Sequence, residues 1–370
     1  MDSKNDLERK SLEFLEQHLV GNKPAFLTGN FSLYKNSQKS DLYGTIDALY
    51  IFYTLGLLNE VTNRESRELW ANRILLCQDD SGWFTKDNLR GHSKEHSTAY
   101  AIGALKLLEI TKTENYLVKI KPLNEIKPLL KDYASFTRWI SSLDYRPSIG
   151  SIARKNLGWH YIWRGSHVGG GIAAIIGMAE QLMFDWWQDD QIVSASNWFS
   201  WYFDWLNQRI NHKTGLWQRA FWNSIYKTPT VMEMGGAVHF YWIYSKMNQS
   251  FPFPLQLIET VIRLQQSDGL YKDHPYCIDL DANYCIIRSF NQLTHKQQES
   301  IYERVHKSIN KNYEQIVNIL TDTPLDLIYK DSHGLPGALA ALVECDKLPG
   351  FKHSKDLVGW KHPLDKAWWL

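Results

Sequence analysis

The sequence predicts an all-α protein, a single (α/α)6 barrel or toroid over residues 1–370, and three observations carry that expectation. Apolar residues recur at helical spacing nearly throughout, while β-branched alternation is scarce. Six segments are rich in small and apolar residues on almost every face, the mark of a buried helix. Six longer segments with one charged face alternate with them. A strict alternation of wet and dry helices is what a closed ring of six helical hairpins demands, with the dry helices parallel inside and the wet ones outside.

The elements follow in order. The first outer segment, LERKSLEFLEQHL (7–19), keeps its charges on one face and precedes the inner segment GTIDALYIFYTLGLL (44–58). The second pair is TNRESRELWANRILLCQ (62–78) with STAYAIGALKLLEI (97–110), and the third is LNEIKPLLKDYASFTRWISSL (123–143) with GGGIAAIIGMAEQL (169–182). The fourth pairs DDQIVSASNWFSWYFDWLNQRI (189–210) with GGAVHFYWIYSKM (235–247), and the fifth PLQLIETVIRLQQ (254–266) with DANYCIIRSFNQL (281–293). The sixth joins an outer stretch from Gln297 to about Leu320 with LPGALAALVECDKL (335–348). Inner segments therefore start roughly every 45–70 residues, the spacing of one repeated supersecondary unit. Three outer-to-inner turns share a signature of helix end, glycine turn and aromatic plug: QDDSGWF (78–84), NQRINHKTGLW (207–217) and QQSDGLY (265–271).

Composition narrows the function. Net charge is +1, with 41 basic and 40 acidic residues interleaved, so no electrostatic footprint for nucleic acid or anionic lipid is present. MDSKNDLERK at the start has no apolar leader core, and no run of 18 apolar residues occurs, so a cytoplasmic protein without a transmembrane segment is expected. The four cysteines, Cys77, Cys277, Cys285 and Cys345, form no CxxC pair and are expected as reduced thiols. Aromatic residues make up 14% of the chain, 16 of them Trp, which suits either an aromatic-lined cavity or aromatic packing between helices.

If the inner helices run one way, their N-termini open at a common mouth and their unpaired amides converge there. The polar residues at those starts are Asp47; Glu95, His96 and Thr98; Arg164, Ser166 and His167; Glu233 and His239; Asp279, Asp281 and Asn283; and Asp331, Ser332 and His333. Asp281, Asp279, His239 and His333 are the candidate catalytic groups. Asp47, His96, Trp163, Arg164, His167, Glu233, Tyr241 and Tyr284 are the candidates for holding substrate. Singly, Asp281, Thr98 and Ser332 also suit helix caps, and His239 suits a packed core histidine. Two carboxyls two residues apart at a buried helix start cannot both ionise cheaply, so one would hold a proton it could donate.

The glycine turns, the glycine-opened inner helices and the tryptophan content resemble the terpenoid cyclase and protein prenyltransferase toroid superfamily over most of the chain. Gln78 and Gln265 keep the family's glutamine-to-glycine turn, while the third turn carries an insertion. DLDAN (279–283) resembles the aspartate-rich motif of class II terpene cyclases, in which the middle acid protonates an alkene or epoxide; Asp279 and Asp281 match its first two acids and Ala282 stands at the third. The resemblance implies an isoprenoid substrate in the barrel and makes Asp281 the acid. Prenyltransferases of this superfamily bind zinc through aspartate, cysteine and histidine, and Asp279, Cys277 and His333 occupy similar places with the first two in reversed order. WRGSHVGGGIAAI (163–175) and SHGLPGALAAL (332–342) also look like the His-Gly helix openings of lanthionine cyclases, without that family's cysteine ligands. No cofactor is expected, with zinc the one metal the resemblance brings in.

Three functions stay open on the sequence. One is terpenoid-cyclase-like, an acid-initiated cyclisation or rearrangement of an isoprenoid in a deep apolar cavity. Another is a carbohydrate-active (α/α)6-barrel enzyme, a hydrolase, lyase or epimerase, because a mouth rich in His, Arg and Asp suits a polyol or uronic acid. The third is a non-catalytic toroid that binds a peptide or partner through its aromatic residues. In the first two the partner is a small molecule, and the sequence leaves the oligomeric state open.

Overall fold

The computed structural model describes residues 3–21, 25–111, 114–143, 161–187, 192–217 and 229–370. Among them the chain is all-α: no strand forms, and the extended pairing is limited to isolated bridges, two of which, Gln78 with Phe84 and Asn211 with Leu216, close glycine turns. The long helices are α1 (Ser3–Glu16), α2 (Leu42–Thr54), α3 (Arg64–Leu75), α4 (Lys94–Leu108), α5 (Tyr133–Leu143) and α6 (Tyr161–Trp187). They continue with α7 (Ala195–Asn207), α8 (Val231–Lys246), α9 (Pro254–Leu264), α10 (Cys277–Phe290), α11 (His295–Asp322) and α12 (Gly334–Cys345). The even-numbered helices are the apolar ones, and nearly every described residue of α2, α4, α8, α10 and α12 is buried.

These helices pack in chain order. Helix α2 lies against α4, α4 against α6, α6 against α8, α8 against α10 and α10 against α12, and α12 packs back on α2. The odd-numbered helices cover them from outside: α3 packs on α2 and α4, α5 and α7 on α6, α9 on α10, and α11 on α10 and α12. A helix that is apolar all round has no face to offer water, so it must be enclosed by neighbours on every side. The odd helices offer the wet faces. Free thiols are found at all four cysteines, three of them fully buried.

Boundaries follow local chemistry. Asp41 caps α2 by accepting from the Gly44 amide at 3.0 Å, and its other carboxylate oxygen accepts from the Leu33 amide at 2.7 Å. The outer segment expected over 123–143 is helical only from Tyr133, because Pro128 lacks the donor an α-helix needs and leaves a 3-10 turn over Lys127–Leu130. Asp132 then restarts the helix, accepting from the Ser135 amide at 2.7 Å. Two of the glycine turns are built alike. The Gln78 side chain donates to the Gly82 carbonyl at 2.6 Å, as Gln265 does to Gly269 at 2.8 Å. Gly82 and Gly269 carry φ of +88° and +108°, which a side chain would strain. Each glutamine oxygen then accepts from the neighbouring outer layer, from the Lys121 amide at 3.0 Å and the Ser308 hydroxyl at 2.8 Å. The shared turn thus ties one repeat to the next.

One stretch, Gly165–Trp187 in α6, is long and apolar enough to cross a membrane, and 72% of its most apolar window is buried inside the protein. Its apolarity is explained by neighbours on both sides in the circuit of inner helices.

Candidate active site at the N-terminal ends of the inner helices

The N-terminal parts of α2, α4 and α6 and the residues leading into α12 bring their polar side chains to one place, joined by His239 of α8. His96 and His167 face each other with ring centroids 4.4 Å apart, and His167 and His239 are 4.9 Å apart. His92, just before the Ser93 cap of α4, stacks on His96 at 4.4 Å and lies 5.4 Å from His333. His96, His167 and His239 are at most 6% exposed. Helical spacing explains the set: Tyr43, Asp47 and Tyr50 on α2 and His96, Tyr100 and Gly103 on α4 each form a stripe, three to four residues apart, along the face turned to the other inner helices.

Asp47 organises one side. It is fully buried, and its carboxylate accepts from the Tyr100 hydroxyl at 2.9 Å and the Ser332 hydroxyl at 2.7 Å. The same group lies 2.9 Å from Nδ1 of His333, so the tautomer that satisfies both carries the proton on Nδ1 and leaves the Nε2 lone pair free. On the other side Nδ1 of His239 is 3.0 Å from the Ser166 hydroxyl, and Nδ1 of His96 is 3.2 Å from the Tyr43 hydroxyl. Burial drives three of the imidazoles towards the neutral form. It pushes His239 down to about 3 and, together with His333 and Arg90, does the same to His92. His96 is held well below its ordinary value by burial and by the neighbouring His167 and His92.

Below the histidines the space between these helices is filled by residues from far along the chain. Trp369 is fully buried, stacks on His239 at 4.8 Å and 16°, and meets His96 edge-on at 5.4 Å. Its carbonyl accepts from the Tyr50 hydroxyl at 2.6 Å. Gly170 is small because a Cβ there would come within 2.9 Å of the Trp369 ring, and Gly177 because a Cβ would run into Trp368. These glycines make room for indoles. Gly171 and Gly337 serve backbone approach, their Cβ positions falling 3.0 Å from Glu95 and 2.6 Å from Cys277 backbone atoms.

The structure brings Asp47, His96, His167, His239 and His333 together and sends the other candidates elsewhere. Asp279 accepts from the Tyr276 and Tyr271 amides and from the Asn312 side chain at 2.8 Å, so it caps α10 and faces the outer helix α11. Burial still pushes its carboxyl up to about 6. Asp281, half a turn round, shares a stripe with Cys277, Tyr284 and Arg288 on the opposite face of α10. It is 2% exposed and makes no hydrogen bond among the described residues, and burial plus the nearby Asp279 hold its carboxyl well above the usual range. Asp281 therefore caps nothing.

Glu233 closes the capping box of α8 with Thr230, where the threonine amide donates to it at 2.7 Å. Tyr241 points outward, its hydroxyl donating to the Gly215 carbonyl. Tyr284 packs beside Trp242 and under the Arg288 guanidinium, 5.0 Å from its ring. Trp163 and Arg164 lie on α6, but their side chains are outside the described residues. With Asp279 turned outward and fully engaged, Asp279, Cys277 and His333 do not assemble as a zinc ligand set. His92, Tyr43 and Trp369 are participants the sequence reading missed. The His-x-x-x-His spacing of GHSKEH was the available signal for His92, since four residues is about one helical turn.

A surface depression of about 460 Å³ on the flank of α10 and α11, lined by Phe290, Tyr302 and Pro349, is remote from this cluster and carries no comparable buried chemistry. No family model, curated protein or solved structure matches the chain.

Proposed function

We propose that residues 1–370 form one (α/α)6 toroid and that the protein is a cytoplasmic enzyme acting on a polar, hydroxyl-bearing small molecule of the carbohydrate class. The circuit in which α12 packs back on α2 supports the toroid. The single observation that carries the activity is the Asp47–His333 pair. A buried carboxylate held by two hydroxyls fixes an imidazole tautomer, and the free Nε2 is placed to take a proton from a substrate hydroxyl or carbon and return it. The surrounding groups are imidazoles, hydroxyls and indole faces, which suit a sugar's mixed polar and apolar surface.

A second reading, acid-initiated cyclisation or rearrangement of an isoprenoid, is favoured by Asp281, a buried carboxyl that burial and Asp279 hold well above the usual range, with no hydrogen-bond partner among the described residues and on the same stripe as Tyr284. Against it, Trp368 and Trp369 fill the space that a prenyl chain would need. The test is turnover of two substrate panels, neutral and uronic oligosaccharides against prenyl alcohols and diphosphates, read by mass spectrometry. We expect carbohydrate conversion that falls by about 10²–10⁴-fold in Asp47→Asn and His333→Gln with folding retained. Loss in Asp281→Asn with conversion of prenyl compounds selects the second reading. Turnover of neither panel leaves a binding toroid.

A further inference from the structure

We propose that His92, His96 and His167 form a binding site for a first-row divalent metal ion, zinc foremost. Their candidate ligand atoms all lie within 4.8 Å of one another. Three nitrogens at 2.0–2.1 Å around a tetrahedral centre stand about 3.4 Å apart, so side-chain shifts on the order of 1 Å close the set. The three come from two neighbouring inner helices and the turn before one of them, which fixes their spacing independently of any ion.

A second observation points to a ligand. The Nε2 atom of His92 is buried and has no hydrogen-bond partner among the described residues, an arrangement that costs free energy unless something occupies the lone pair. The Tyr43 hydroxyl, 3.2 Å from Nδ1 of His96 and 3.1 Å from the Ser97 hydroxyl, orients that ring from behind and leaves Nε2 for coordination, the arrangement that second-shell partners impose on metal-binding histidines. Burial favours the neutral imidazole, the form that ligates. A donor set of three nitrogens, without a carboxylate, suits zinc, cobalt, nickel or copper rather than magnesium or calcium. Three ligands leave a fourth position for water or substrate, and His239 and His333 stand close by, 4.9 Å from His167 and 5.4 Å from His92. The proposal rests on the acid–base reading above for what the ion would do, and on geometry alone for whether it binds.

The experiment is titration of chelator-treated full-length protein with Co²⁺, followed by its visible d–d absorption, and with Zn²⁺ by calorimetry. We expect one equivalent to bind, with affinity weakened roughly 100-fold or more in His92→Gln and in His167→Gln. His274→Gln, remote from the cluster, should bind as the unmodified protein does. Circular dichroism of each variant checks that the fold is kept; His92 precedes the helix, so its variant reports even if the buried His167→Gln does not fold. Absence of stoichiometric uptake by the intact protein, or unchanged uptake in His92→Gln, overturns the site. Asp47→Asn separates the two ideas: it should bind Co²⁺ normally while losing turnover, so failure of the acid–base reading leaves the metal result standing and the reverse.

Discussion

The two ends of the inner helices are both polar and both buried, yet they are built on opposite principles. At the C-terminal ends of α10 and α12 the buried charges pair directly. Arg288 grips Glu344 through two hydrogen bonds, at 2.6 and 3.0 Å, and His362 and Asp365 complete the set. Burial alone would push Glu344 up, but Arg288 and His362 outweigh it and hold the carboxyl below its ordinary range. At the N-terminal end five imidazoles crowd together, Asp47 is the carboxylate bonded to them among the described residues, Nε2 of His92 has no hydrogen-bond partner among those residues, and burial drives His92, His96 and His239 towards the neutral form. A network that satisfies itself is structural. One that leaves a buried ring nitrogen without a partner among the described residues is held that way by the rest of the fold, and the proposed ligand site rests on that difference.

The contrast can be broken most sharply at the closed end. Arg288→Ala strands the 2%-exposed Glu344 and should cost about 3–5 kcal/mol in urea unfolding, whereas the pair of changes Arg288→Met and Glu344→Met should recover most of it. A full loss persisting in the double variant would show that packing, not the stranded charge, sets the cost. The next effect is pH-dependent and has opposite signs at the two ends. Asp279, raised from 3.8 to about 6, binds more protons folded than unfolded, so its contribution to stability falls as pH rises from about 4 to about 6; Asp279→Asn should remove that fall. Glu344 is shifted the other way, so its contribution is present above its unfolded value of 4.5 and lost as pH falls below it. Urea midpoints measured across pH 3–7 for both Asp279→Asn and Arg288→Ala would check the two signs. The smallest effect is expected at the open end, where His92→Gln should change stability by no more than about 1 kcal/mol, because the lost nitrogen has no partner among the described residues to strand.

Much of this was legible in the residues. Helical class, the alternation of wet and dry helices and the glycine turns at Gly82 and Gly269 all follow from periodicity and from conformations that only glycine takes freely. So did the gathering of Asp47, His96, His167, His239 and His333, since helix starts that share one end must share their polar side chains. Asp279 and Asp281 were harder. Two residues apart on a helix means about 200° of rotation, so one faces the outer layer and the other the inner face, and the spacing alone does not say which. Pro128 marks the break in an outer segment expected as one helix over 123–143.

The sequence by itself settled which helices would be buried and which residue types would meet at their ends, because apolar periodicity and the direction of the chain are local properties. Tertiary structure alone decided that Trp369 would floor the cluster, that His92 would join it from outside a helix, and that Asp279 would be consumed as a cap. Those outcomes depend on segments hundreds of positions apart competing for the same interior volume and the same hydrogen-bond partners, and no local pattern encodes the result of that competition.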